Sequence, residues 1–202
     1  LTITQRPITI TASNQNRTYG DANPTTGGFT VGGSGLANTD AVATSLSVSS
    51  PATATSNVGG YALTPSGLVV TSGLDTDYAV TYANGTLNVT ARPITLTADN
   101  QSRHYGDTNP TTGTYQITSG SLVNSDALNT TLNVSSPATV TSNVGGYALT
   151  PADATLSSGL LSNYAVTYAD GTLNVTQRPI TLALDAQSRV YGDANPATGT
   201  YV

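Results

Sequence analysis

The 202-residue sequence contains no cysteine, methionine or tryptophan, and it has neither lysine nor glutamate. Each absence removes a class of chemistry. Without cysteine there is no disulfide framework and no thiol nucleophile. Without lysine there is no Schiff base, and no Lys–Asn isopeptide cross-link of the kind that staples some surface stalks. Without glutamate there is no bidentate side chain of the sort that closes an EF-hand calcium loop. Charge is scarce as well: the six cations are all arginine, the eleven anions are all aspartate, and the net charge is −5. So acidic a chain, with no lysine, does not suit nucleic acid or an anionic membrane surface, both of which attract basic patches. No apolar run approaches the roughly 18–20 residues of a membrane span, and no signal-peptide pattern is visible.

What remains is Thr, Ser, Asn and Gly, poor helix formers, with Val, Ile, Tyr and Thr supplying β preference. The composition reads as an all-β protein of the bacterial secreted or cell-surface type. Sliding the chain against itself reveals the main feature. An offset of 86 aligns Arg6-Pro7 with Arg92-Pro93 and Arg178-Pro179, and Tyr19 with Tyr105 and Tyr191. Residues 6–91 and 92–177 are identical at 55 of 86 positions, without insertion. The chain therefore divides into the end of one copy (1–5), two full copies (6–91 and 92–177), and the opening of another (178–202). This division implies more copies on both sides. A unit of this size exceeds the 20–45 residues or so of a solenoid repeat, and each copy is expected to fold as a small domain.

Within a copy, period-2 alternation predicts strands at 6–13 (Ile8, Ile10 and Ala12 inward), 28–31, 44–50 (Leu46 and Val48 inward) and 59–65. "YAVTYANGTLNVT" at 78–90 alternates around Asn84-Gly85, which predicts a two-residue type I′ hairpin. Segments 36–43 and 122–129 have room for one short helical turn capped by Asn38 or Thr39, while 51–60 and "SGLDTD" at 72–77 read as loops. Between copies, "TLNVTARPITLTA" carries no Gly/Ser linker, and the apolar phase slips by one residue at Arg92-Pro93, turning the inward face over. The last strand of one copy is thus expected to pass directly into the first strand of the next, giving a stiff, elongated rod.

The stretches "RPITITASNQNRTYGDANPT", "GLANTDA", "SNVGGYALTPSG" and "YAVTYANGTLNVT" together resemble the MBG domain of the YGX type. The resemblance spans essentially the whole chain. It implies a tandem repeat of large bacterial surface or secreted adhesins, often filamentous-haemagglutinin-like, acting in a stalk, with no catalytic residues to carry over. The fold it implies is a small β domain, β-grasp-like or sandwich-like.

The motif "RTYGDANPTT" (17–26) returns as "RHYGDTNPTT" (103–112) and "RVYGDANPAT" (189–198). Read structurally, it is a turn that fastens each copy. Gly20 gives a permissive backbone, Asp21 and Asn23 cap the turn and Pro24 fixes it. Arg17 is expected to pair with Asp21 or Asp40, and Tyr19 to pack on the core with its hydroxyl bonded. Arg103, Tyr105, Gly106, Asp107, Asn109 and Pro110 would do the same in the second copy. The competing reading makes Asp21 and Asn23, with Asp107 and Asn109, oxygen ligands for calcium; no other cofactor is indicated. An enzyme is not expected. The single histidine, His104, is replaced by Thr18 and Val190 in the matching positions, and the Asp75/Asp77 pair by Leu161 and Asn163. The numerous Asn-x-Ser/Thr triplets are expected by chance in so Asn- and Thr-rich a chain. Three functional expectations follow: a stalk or matrix-fibre repeat whose partners are its neighbouring repeats, an adhesive module binding a glycan, protein or host-surface ligand through repetition, or a subunit that zips laterally to like chains. Copies differ mainly at 27–35 and 66–77, so those loops, with exposed tyrosines such as Tyr82 or Tyr115, are where a ligand would be sought.

Overall fold

The computed structural model describes residues 1–200. The first copy contains ten strands: β1 (Arg6–Ala12), β2 (Gln15–Thr18), β3 (Thr26–Gly27), β4 (Phe29–Gly33), β5 (Ala41–Val42), β6 (Leu46–Ser49), β7 (Gly59–Ser66), β8 (Val70–Ser72), β9 (Tyr78–Ala83) and β10 (Gly85–Thr90). The second copy repeats them as β11 (Arg92–Ala98), β12 (Gln101–His104), β13 (Thr112–Gly113), β14 (Tyr115–Ser119), β15 (Ala127–Leu128), β16 (Leu132–Ser135), β17 (Gly145–Ala152), β18 (Leu156–Ser158), β19 (Tyr164–Ala169) and β20 (Gly171–Thr176). Among the described residues the only helical turns are short 3-10 segments at Asp75–Asp77 and Leu161–Asn163. The all-β expectation is met, and the helical turn falls in the segment read as a loop. Segment 36–43 instead carries Asn38 at φ 52°, a conformation that Asn tolerates better than most residues, and then β5.

Each copy is a sandwich of two main sheets with a further two-stranded ladder, β5-β8 in the first copy and β15-β18 in the second. In the first, β4-β1-β9 form a three-stranded sheet and β2-β10-β7-β6-β3 a five-stranded one. The strand that opens the copy and the strand that closes it lie side by side and parallel. β1 pairs with β9 (Ile8 opposite Val80) and β2 with β10 (Leu87 opposite Gln15). Both then bend at the same level and leave one sheet for the other, as in packings whose corners are made by strands that switch sheets. The hairpin expected at Asn84-Gly85 is therefore absent: β9 and β10 do not pair with each other, and neither residue has the positive φ that a type I′ turn requires. Gly85 serves the corner instead. A Cβ there would lie 2.4 Å from the Ala12 carbonyl oxygen, and the adjacent Thr86 N–H donates to Asn14 Oδ1 at 2.8 Å. Gly171 and Asn100 repeat the arrangement in the second copy.

The core lies between the sheets. Ile8, Ile10 and Ala12 from β1 meet Leu46 and Val48 from β6, Leu63 from β7 and Leu87 from β10, all buried as the alternation predicted. Val80 and Tyr82 depart from that pattern and are 37% and 40% exposed. β10 ends at Thr90 and β11 begins at Arg92, so a single residue separates the last strand of one copy from the first strand of the next. Residues 178–200 contribute no strand to either copy. No helix among the described residues is long and apolar enough to cross a membrane.

The corner yields a direct test. Gly85→Ala forces backbone against backbone and is expected to destabilise the first copy by about 2 kcal/mol or more. Asn84→Asp, which copies the residue at position 170, should be neutral. Urea unfolding of the two variants measures both, and a Gly85→Ala chain as stable as the parent would contradict the corner geometry.

Candidate functional site at the joint between copies

The recurring Arg-x-Tyr-Gly-Asp-x-Asn-Pro motif follows β2 directly, and its side chains divide between two tasks. Arg17 and Asn23 work inside their own copy. The Arg17 guanidinium is buried, donating from Nε to Asn23 Oδ1 at 2.7 Å, from Nη2 to the Thr53 carbonyl at 2.5 Å and from Nη1 to the Thr18 carbonyl at 3.3 Å. Asn23 Nδ2 in turn donates to the Ala52 carbonyl at 2.5 Å. Together they tie the motif to loop 51–58. Arg103 and Asn109 make the same bonds to Thr139, His104 and Ala138 in the second copy. The expected ion pair of Arg17 with Asp21 or Asp40 does not form. The guanidinium is satisfied by oxygens of uncharged groups, which spares the copy a second buried charge. The Asn23 oxygen that calcium would need is held by Arg17, and the Asp21 carboxylate by Arg92.

Tyr19, Gly20 and Asp21 face the next copy. The Tyr19 backbone N–H donates to the Thr90 carbonyl at 2.9 Å, and a turn closes from the Asp21 N–H to the Thr18 carbonyl at 3.0 Å. This projects the Tyr19 ring into the second copy, where it is 3% exposed and belongs to the cluster of Ile94, Leu96, Leu149 and Tyr164. Its ring meets that of Tyr164 edge to face, with centroids 5.7 Å apart and planes at 79°, a geometry the ring quadrupoles favour. Both hydroxyls donate to one oxygen, Asp126 Oδ2: Tyr19 at 3.0 Å and Tyr164 at 2.8 Å. The Val123 N–H completes the set by donating to the Tyr164 hydroxyl at 3.1 Å.

Around this centre the backbones come close. Gly20 has φ +88°, and a Cβ there would lie 2.6 Å from Val123 Cγ2, so both conformation and space demand glycine. Arg92 donates from Nε to the Tyr19 carbonyl at 2.7 Å and forms an ion pair with Asp21. On the other side, the 3-10 turn places Asn163, 1% exposed, against loop 51–58 of the first copy. Its Oδ1 accepts from the Val58 N–H at 3.0 Å and its Nδ2 donates to Asn57 Oδ1 at 3.0 Å. Asn124 Nδ2 donates to the Ala54 carbonyl at 3.1 Å. Burial pushes the Tyr164 hydroxyl up to about 12, and the bond to Asp126 acts in the same direction.

The expected turn residues thus sit together, but sequence reasoning placed Tyr19 on its own core and gave no role to Arg92, Asp126, Asn163 or Tyr164 at a joint. A signal existed: Asp126, Tyr164 and Arg92 recur in step with Asp40, Tyr78 and Arg6. Of the tyrosines considered for ligand contact, Tyr82 accepts from the Leu68 N–H and Tyr115 donates to the Asn129 carbonyl. Both hydroxyls are engaged within their own copies.

Two outcomes are expected. Asp126→Ala strands two phenol donors and should cost the second copy about 3 kcal/mol, whereas Asp21→Asn, whose carboxylate is half exposed in its ion pair, should cost less than about 1 kcal/mol. Equal effects in urea unfolding would contradict the assignment. As for pH, the folded chain holds the Tyr164 proton more tightly than the unfolded chain, whose tyrosines titrate near 10. Its contribution is therefore complete below about pH 10 and is lost as the pH climbs toward 12. Tyr164→Phe should flatten part of that fall. Tyr78, raised by its bond to Asp40, and Tyr115, raised by burial, supply slope of the same sign.

A family model described as the MBG domain (YGX type) matches residues 8–88 and again residues 94–174. No curated protein and no solved structure gives a significant match.

Proposed function

Because the chain belongs to the MBG domain family of the YGX type, we propose that it is a non-catalytic spacer segment of a bacterial surface or secreted adhesin, in which tandem copies hold a fixed orientation and carry other parts of the protein outward. The observation that carries this reading is the joint. One residue separates the last strand of one copy from the first strand of the next, and Tyr19, Asp21, Arg92, Asp126 and Asn163 interlock across it. A linker of free Gly and Ser would let the copies tumble separately; this connection holds them. The exposed surface, 12150 Å², also exceeds the about 8,800 Å² of a compact monomer of this mass, part of the excess coming from residues 178–200.

A second reading is favoured by one observation. An open groove of about 640 Å³ in the second copy, bordered by Asn129, Asn133, Asp153 and Thr155, touches residues 152–157, one of the two stretches in which the copies diverge. Its polar lining suits a glycan hydroxyl array, although no aromatic ring borders it.

Small-angle scattering of the chain separates rod from compact body. The expected distance distribution is skewed, with a long tail, and unchanged by salt. A symmetric distribution would overturn the spacer reading, and saturable binding on a glycan array, lost with Asp153→Ala, would favour the second.

A further inference from the structure

The grip on Tyr19 is built from residues that recur 86 positions earlier, at the opposite end of the first copy. There Arg6, Ala37, Asp40, Asp77 and Tyr78 border an open cavity of about 390 Å³, and they stand in the places of Arg92, Val123, Asp126, Asn163 and Tyr164. The Tyr78–Asp40 half of the grip is already formed. The Tyr78 hydroxyl donates to Asp40 Oδ2 at 2.5 Å and accepts from the Ala37 N–H at 2.9 Å, as Tyr164 does with Asp126 and Val123. One difference is that, among the described residues, no second phenol shares the carboxylate. In place of the Tyr19 and Asp21 contacts made by Arg92, Arg6 donates to the Gly35 and Ser34 carbonyls.

We propose that this cavity is a docking socket for the Tyr-Gly-Asp loop of a further copy of the same repeat. The chemistry fixes the occupant. Asp40 has acceptor capacity for a second buried phenol, Arg6 can turn to a carboxylate and a carbonyl, and Asp77 asks for N–H donors. The Tyr-Gly-Asp loop and its neighbouring Asn-Val supply all of these. Where Asn163 accepts from one amide and donates to another, Asp77 can only accept. The facing asparagine then presents its Nδ2 instead of its oxygen, and both bonds are kept. Ala37, smaller than Val123, leaves more room over the loop glycine. The complementary plug lies at the far end of the second copy, where Arg178 donates to the Tyr105 carbonyl and pairs with Asp107 as Arg92 does with Tyr19 and Asp21, while Tyr105 is 43% exposed and Tyr19 only 3%. Socket and plug on opposite ends make a head-to-tail interface, which generates an open array and not a closed dimer.

The inference rests on the spacer reading and extends it to a further copy, and one chain tests the two separately. Residues 6–91 are duplicated in tandem, so that one copy's Tyr19 loop faces the next copy's Asp40 and Tyr78 across the natural Ala91-to-Arg junction. The chain has no native cysteine, so Ala37→Cys gives a single reporter. It is placed either in the leading copy, whose socket stays open, or in the duplicated copy behind it. Alkylation by a thiol reagent should be at least about tenfold slower in the duplicated copy, since reaction there requires the joint to open. Tyr19→Ala in the leading copy should restore the faster rate. Equal rates at the two positions would overturn the proposal, and the same substitution in both copies cancels any effect on folding. If the rates are equal while scattering of the parent chain still shows an extended body, the socket falls and the spacer reading stands.

Discussion

Two phenol hydroxyls, one from each copy, donate to the same carboxylate oxygen of Asp126. The order between copies depends on that shared acceptor. The chain is poor in charge, and an acid half-buried beside two aromatic rings is costly unless its lone pairs are taken up. Each tyrosine brings a flat apolar face that covers the carboxylate and a hydroxyl that satisfies it. Tyr164 is the resident half, held by its own copy, and Tyr19 is the visiting half. Arg92 and Asp21 close the rim over them, and Asn163 closes the far side. The same economy appears at Arg17, whose guanidinium is satisfied without any carboxylate.

The motif at 17–24 therefore combines two duties that its sequence does not separate. Arg17 and Asn23 fasten the loop to residues 52–53 of their own copy, and Tyr19, Gly20 and Asp21 use that fastened loop as a rigid plug. The first duty makes the second possible, because a loosely held loop would lose more conformational freedom on docking than one contact of this size returns. Divergence between the copies is consistent with this division. Positions 6, 17, 19, 20, 21, 23, 40, 57, 58 and 78 are unchanged 86 residues later, whereas the stretch 28–35 is replaced throughout.

Much of the fold could be read from the sequence, and the reasons are specific. Ile8, Ile10 and Ala12, and Leu87 and Val89, alternate cleanly because each lies in a strand with one face on a core. The phase slip at Arg92-Pro93 marked the place where one domain hands over to another. Asn84-Gly85 misled because a glycine between alternating runs signals a tight hairpin only when the chain reverses. Here it goes straight on around a corner, and the glycine is needed for the Ala12 carbonyl of a strand more than seventy residues away. The joint was hidden for a different reason. In a repeat with strict spacing, a residue's partner in its own copy and the equivalent partner in the next copy are the same letter. The sequence could propose that Tyr19 packs on a core with its hydroxyl bonded but not whose core it is, and only the direction of the loop after β2 decides that. The short strands β3, β5 and β8, two or three residues each, carry too little periodicity to be seen.

The parallel pairing of opening and closing strands has a mechanical consequence. In each copy the chain enters along β1 and β2 and leaves along β9 and β10, adjacent strands running the same way. Tension applied through the two ends therefore drags neighbouring strands in opposite directions along their length. The ladder is loaded in shear, and its hydrogen bonds must fail together rather than peel one after another. A copy of marginal thermodynamic stability can resist pulling for far longer than that stability suggests, because forced unfolding is governed by the height of the unfolding barrier and not by the equilibrium.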